Sequence, residues 1–313
     1  MRAVFGLMAA LSVCSLLPAQ NPQASKQMRD WVDPDRSEPS GTHYKLFHSK
    51  ILNGDYSYLV YLPPDYDSAP QKRYPSVYWL HRFDGNQRDG GRFAQLLDSA
   101  IRRGKAPAMI VFLLNGLGES CWVDSKDGKY PVDSIITKEM VPYFDQTYRT
   151  IPRREARAVE GMSMGGFGAL RLGFSHNDLF GVVSALAPGL ISEKDQPPQR
   201  IPPDLFERVM GSDLEYFRAN TAWTAAERNA DKIGKNTLIR IVVGDKDTVN
   251  YERCQAYRDL LNNLQVPFQF VVVPGVKHSY PELYATLGDE AFVFYVRAMG
   301  RFSGGGVPNV QAL

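Results

Sequence analysis

Gly161-Met162-Ser163-Met164-Gly165-Gly166 is the stretch on which the reading of this chain turns. It follows a run, 156–159, that ends in apolar residues, and precedes a helix-like one, 167–174. A G-x-S-x-G pattern between a strand and a helix is a nucleophile elbow. Its sharp turn forces the serine backbone into a strained conformation and exposes the hydroxyl. Gly161 and Gly165, two residues to either side, let strand and helix approach where a side chain would clash. Ser163 is therefore the candidate nucleophile, set against the plainer reading of a Gly-rich turn with a surface serine.

Outward from the elbow, β-like and helix-like segments alternate, which predicts an α/β fold with helices on both faces of one sheet. The strands are expected at 76–80, 108–114, 156–159, 181–185, 238–243 and 268–273. Most are short, continuous apolar runs, the mark of parallel strands covered on both faces, so the central sheet should be mostly parallel. Helices are expected at 134–148, with Ile136, Met140 and Phe144 at four-residue spacing, and at 251–264 and 289–299. Upstream, two β-like runs at 43–52 and 56–62 flank Asn53-Gly54, a strong signal for a tight hairpin. Residues 20–40, punctuated by Pro22, Pro34 and Pro39, read as a linker or loosely attached arm before a catalytic domain at 41–303. The long charged stretch 189–235, with Pro197, Pro198, Pro202 and Pro203, breaks the rhythm and reads as a lid insertion, and 304–313 as a flexible tail.

A serine hydroxyl needs a base within hydrogen-bond reach, and the base needs an orienting carboxylate. In α/β-hydrolase sheets the chain order is Ser, then Asp or Glu, then His. His278, in a loop just after the last sheet strand, fits the base; His176 falls too close behind the nucleophile. Strand 238–243 ends in Gly244-Asp245-Lys246-Asp247, at the carboxyl edge where catalysts collect in such folds. Asp247, three residues past the glycine, can turn back over the sheet, whereas Asp245 suits a bond to the turn backbone; Glu252 is a distant third. The Met164 N–H, next after the serine, is the first oxyanion donor, and the loop His81-Arg82-Phe83-Asp84-Gly85 should supply the second.

The 313 residues, 44% hydrophobic, can bury a substantial core. A formal net charge of +2 with mixed signs leaves no basic field for a phosphate backbone, so nucleic acid is not an expected partner. Arg2, the apolar 4–17 stretch and Pro18-Ala19-Gln20 read as a signal peptide cleaved after Ala19, implying a secreted or periplasmic protein. Leu11-Ser12-Val13-Cys14 is a weaker lipidation reading, because Val13 stands where a small residue is favoured. No later stretch reaches the roughly 20 apolar residues of a membrane span. Cys121 and Cys254 are expected as free thiols, Cys254 on the buried face of its helix with Tyr257, Leu261 and Leu264. The scattered histidines show no metal-ligand spacing, and no cofactor is expected.

Tyr58-Leu59-Val60-Tyr61-Leu62-Pro63-Pro64, Tyr78-Trp79-Leu80-His81, the elbow and the spacing to Asp247 and His278 together resemble the secreted putative-esterase family. That family includes feruloyl and acetylxylan esterases, esterase D and mycolyltransferases. The resemblance spans roughly residues 43–300. It implies an α/β-hydrolase fold, a Ser163-Asp247-His278 triad and the Phe83 N–H as second oxyanion donor. One departure is Arg82, which stands where relatives usually carry glycine, so the loop could bend differently and the side chain project into or away from the cleft. Trp122, Trp223 and Tyr280 offer aromatic faces for a sugar or aromatic acyl group, or simply fill the core; Asp124 could bind a hydroxyl or brace its own loop. The leading expectation is a serine carboxylic-ester hydrolase acting on feruloyl or acetyl esters of carbohydrate. The alternatives are an acyltransferase of the same fold and a noncatalytic carbohydrate-binding protein.

Overall fold

The computed structural model describes residues 29–191 and 202–302; the signal-like segment with Cys14, Pro197-Pro198 and the 304–313 tail lie outside the described residues. Eight strands form one sheet: β1 Thr42–Ser49, β2 Gly54–Tyr61, β3 Ser76–Leu80, β4 Ile110–Leu114, β5 Arg157–Met162, β6 Val182–Leu186, β7 Leu238–Gly244 and β8 Gln269–Val273. Their order is β1-β2-β4-β3-β5-β6-β7-β8. β2 pairs antiparallel with β1 and β4, and the remaining neighbours pair in parallel.

The helices are α1 Gly91–Arg102, α2 Val132–Ser134, α3 Val141–Thr147, α4 Met164–Ser175, α5 Pro203–Met210, α6 Leu214–Ala219, α7 Ala222–Asn236, α8 Tyr251–Asn263, α9 Tyr280–Leu287 and α10 Glu290–Met299. Every residue of β3 to β6 is buried, as runs sandwiched between two helical layers must be. The pleat divides them by period two. Phe112, Tyr78, Val159, Val183 and Ile239, in register across five strands, face the layer that holds α3, α4, α7 and α8. Val111, Val77, Ala158 and Val182 face α1, α9 and α10. The fold is thus that of an α/β-hydrolase, with helices on both faces of a mostly parallel sheet.

Four local expectations are corrected. The β1–β2 hairpin is not tight at Asn53-Gly54: Gly54 already pairs with Ser49, and residues 50–53 form the loop. The Glu139 carboxylate organises that loop, accepting the Lys50 and Ile51 N–H groups at 3.0 and 3.1 Å, while Asn53 takes the left-handed conformation at φ 52°. The helix expected at 134–148 contains a π-helical turn, Ile135–Met140, between α2 and α3. This wider turn leads into Pro142, which has no N–H to donate and would crowd the carbonyl four residues back in a regular helix. Ile136, Met140 and Phe144 are nonetheless all fully buried.

Residues 29–38 are not loosely attached. The Trp31 carbonyl accepts the Ser57 N–H at 2.8 Å and the Asn115 amide at 3.1 Å, and Arg88 pairs with both Asp33 and Asp35. An arm that brings its own hydrogen-bond partners to β2 and the end of β4 can lie down on the sheet despite its prolines. Within 189–235, α7 buries Ala222, Ala225, Ala226 and Ile233 against the sheet layer and so is a crossover helix. Among the described residues, the insertion proper is α5 and α6.

Candidate active site

The chain leaves β5 at Met162 and enters α4 at Met164, and Ser163 makes the turn with φ 57° and ψ −112°. That left-handed conformation strains a non-glycine residue. It is held by hydrogen bonds: the Ser163 N–H donates to the Leu186 carbonyl, and the Ser163 carbonyl accepts the N–H groups of Phe167 and Gly189, each at 2.9 Å. The glycines are required by close approach. A Cβ on Gly161 would lie 2.3 Å from the Gly165 carbonyl oxygen, and one on Gly165 would lie 2.0 Å from that of Leu80. The elbow therefore sits directly on the end of β3.

His278 reaches it from the loop after β8, with Nε2 3.0 Å from Ser163 Oγ and Nδ1 2.7 Å from Asp247 Oδ2. Nδ1 also has Asn250 Nδ2 at 3.1 Å, and these two contacts make opposite demands. A carboxylate only accepts, so Nδ1 carries the hydrogen; the Asn250 amide then serves the Ala187 carbonyl, 3.1 Å away. The Nε2 lone pair faces the serine hydroxyl, as a general base requires. Asp247 is buried, and its Oδ1 accepts the N–H groups of Val249 and Asn250 at 3.0 Å each. Burial would raise its pKa, but the His278 hydrogen bond and charge, with the two backbone donors, outweigh that and hold it below the usual carboxylate value. Asp245 instead accepts the Gly275 N–H at 2.7 Å and clips the β7 turn to the His278 loop.

Next to His278, Ser279 caps α9. That helix is tied to the sheet by a buried network that sequence patterning did not single out. Glu160 on β5 accepts the hydroxyls of Tyr284 and Tyr295 and pairs with Arg240 of β7 at 3.2 Å, and Arg240 also bonds Ser184 between them. Glu160, Ser184 and Arg240 are register neighbours on three strands, so a charge in one apolar run was the available signal.

Ser163, Met164 and Phe83 line one cavity. Among the described residues, the main-chain N–H groups of Met164 and Phe83 have no acceptor within the chain. Arg82 does not line the cavity; its exposed side chain turns to Asp89, 3.4 Å away, and to the Phe83 carbonyl. The walls are apolar, with Phe167 from α4, Ile191, and Leu205, Met210 and Phe217 from α5 and α6; Asn250 and Arg253 supply polarity. Sequence reading named none of these wall residues, because a helix that covers a cavity looks in sequence like one that covers the core.

The four expected substrate contacts lie elsewhere. Trp122 is fully buried and packs at a tilt against His81, ring centroids 4.9 Å apart, with its Nε1–H on the His81 carbonyl, because Gly116 and Gly168 leave room for its ring. Asp124 braces its loop, accepting the Ser134 N–H and hydroxyl at 2.9 and 2.7 Å. Trp223 packs edge-on against Tyr257 beneath α7, and Tyr280 turns under the sheet onto Trp79, its hydroxyl donating to the Asp89 carbonyl. Cys121 and Cys254 are free and buried, and burial pushes the Cys121 thiol up to about 12. Among the described residues, no cluster of three His, Cys, Asp or Glu side chains is arranged to hold a metal ion.

An acetyl esterase of Caldicellulosiruptor saccharolyticus is 29% identical over 157 residues, 47% of this chain and 56% of that protein. An esterase of Mycobacterium tuberculosis is 24% identical over 274 residues, 81% of this chain and 59% of that protein. The chain thus spans between 56% and 59% of the length of these curated relatives. A solved ferulic acid esterase superposes with a TM-score of 0.70 at 24% identity, covering 84% of this chain and all of that one, which fixes the shared fold. The model of the family described as Putative esterase matches residues 49–299, and the chain belongs to that family.

Proposed function

We propose that this protein is a secreted serine carboxylic-ester hydrolase working through an acyl-enzyme. The observation that carries the reading is the continuous chain from Ser163 Oγ through His278 to the buried Asp247 carboxylate, at 3.0 and 2.7 Å. His278 Nε2 takes the hydroxyl proton as Ser163 Oγ attacks the ester carbonyl. The N–H groups of Met164 and Phe83 receive the oxyanion, and the imidazolium returns its proton to the departing alcohol. Water, activated by the same imidazole, then releases the acid. Asp247 keeps the hydrogen on Nδ1 and balances the charge that forms on the ring.

The aromatic and aliphatic cavity wall suits an acyl group that is short or aromatic, and the names of the relatives point the same way, to acetyl and feruloyl esters. Carbohydrate is the proposed alcohol part. Export rests on residues 1–19, outside the described residues. Among the described residues, no helix is long and apolar enough to cross a membrane. The test is hydrolysis of p-nitrophenyl acetate, p-nitrophenyl butyrate and methyl ferulate by the mature protein beside Ser163→Ala. Turnover should fall by about 10⁴-fold or more in the variant with folding retained. Undiminished hydrolysis by the variant would refute the assignment.

A further inference from the structure

β3 ends by delivering His81 into the interior, where it is fully buried. Both ring nitrogens are engaged. Nδ1 lies 2.8 Å from the Arg82 carbonyl oxygen, which can only accept, so Nδ1 carries the hydrogen. Nε2 is then a lone pair, and it accepts the Gly116 N–H at 2.8 Å. The partners on each side thus dictate one neutral tautomer, and burial reinforces it by pushing the imidazole pKa down to about 4.

The Arg82 carbonyl belongs to the same peptide unit as the Phe83 N–H. A trans peptide is planar, with C=O and N–H pointing in opposite directions, and the described chain has no cis bond. Holding the oxygen inward on the imidazole therefore turns the N–H outward, on the side where Phe83 lines the cavity with Ser163 and Met164. The Gly85 N–H donates to the same oxygen at 3.0 Å, and Asp84, at φ 55°, donates its N–H to Gly118 at 2.8 Å. The turn pivots on that carbonyl. His81 itself does not line the cavity.

We propose that His81 is a positioning residue of the oxyanion site: its Nδ1–H holds the Arg82 carbonyl so that the Phe83 N–H faces the oxygen that becomes negative above Ser163. This rests on the ester-hydrolase reading of Ser163. His81 transfers no proton to or from substrate; it fixes a dipole before the reaction begins, which is what makes an oxyanion donor effective.

The test compares three variants. His81→Phe keeps a flat ring against Trp122 and loses both hydrogen bonds. His81→Asn can place a carboxamide donor near the Nδ1 position, and His81→Gln places its amide one bond further out, near Nε2. Turnover of p-nitrophenyl acetate is measured per active serine, counted with a fluorophosphonate, together with Tm. A misaimed donor should cost less than a deleted one, so His81→Phe is expected to lower kcat by about 10- to 100-fold. KM should move less than about threefold, because the oxyanion contact is made in the transition state. His81→Asn should recover much of that loss and His81→Gln should not, at similar Tm.

A merely structural ring predicts that kcat follows Tm, with Asn and Gln equivalent. Equal kcat for those two variants, or a folded His81→Phe within about twofold of wild type, overturns the inference. If His81→Phe does not fold, the Asn and Gln pair decides alone. Ser163→Ala run alongside separates the two readings. Retained turnover there removes both, whereas loss there with equal Asn and Gln variants removes only the role of His81.

Discussion

Replacing Asp247 by asparagine changes one oxygen to NH₂ and almost nothing else in shape. Oδ1 accepts the N–H groups of Val249 and Asn250 at 3.0 Å each, so the amide keeps its oxygen there and must put its nitrogen where Oδ2 stood, 2.7 Å from His278 Nδ1. That nitrogen donates, so Nδ1 must become the acceptor and the ring hydrogen moves to Nε2. Nε2 then points a hydrogen, not a lone pair, at Ser163 Oγ, and the base is lost with the geometry intact. A carboxylate-to-amide change at this position of a triad costs about 10⁴-fold in kcat, equivalent to about 5.4 kcal/mol at 1.36 kcal/mol per decade.

Asp245→Asn is the internal control. Its Oδ1 bond to the Gly275 N–H survives in an asparagine, so the expected cost is about 1 kcal/mol in stability, with kcat within about fivefold of wild type. Both variants are assayed on p-nitrophenyl acetate, with melting temperature and circular dichroism confirming the fold. If Asp245→Asn is inactive while Asp247→Asn stays within about tenfold of wild type, the tautomer argument and the choice of acid are both wrong.

Two further outcomes are expected. Gly165→Ala puts a Cβ 2.0 Å from the Leu80 carbonyl and 2.7 Å from that of His81, both backbone atoms that cannot swing away. It should destabilise by about 1–3 kcal/mol and cost more than about tenfold in kcat by parting the two oxyanion donors; a variant equal to wild type in Tm and kcat would show that the close approach is dispensable. Asp133 would be raised by burial, but His176 at 2.8 Å and Arg171 at 2.6 Å hold its pKa well below the usual value. A lowered folded pKa contributes stability that is present above the unfolded value of about 4 and lost as pH falls through the folded one. Wild-type Tm should thus fall steeply below about pH 4, and Asp133→Asn, less stable near neutrality by about 3 kcal/mol, should show a flatter acid limb. Parallel limbs would refute that account.

The sequence by itself determined where most strands of the sheet lie, and it marked Ser163 and His278 as the candidate nucleophile and base. Apolar runs separated by helical spacing are local patterns, and they place β3 to β8 within a few residues of where they lie. The elbow was legible for a related reason: a left-handed serine with glycines two residues either side is a backbone demand, and such demands are written in adjacent residues. His278 followed from chain order. The hairpin at Asn53 misled because the loop is organised by Glu139, a residue far along the chain.

What only the tertiary structure decided is where side chains end up once layers close over them. Trp122 and Tyr280 sit next to functional loops in sequence yet are core, since the space beneath Gly116 and Gly168 or against Trp79 takes the ring. Leu205, Met210 and Phe217 are apolar residues of ordinary helices that line the cavity because α5 and α6 lie over Ser163. Asp245 and Asp247 are two residues apart and chemically the same. The turn after β7 sends one carboxylate to Gly275 and the other to His278, and that direction is a property of the closed loop, not of any residue within it.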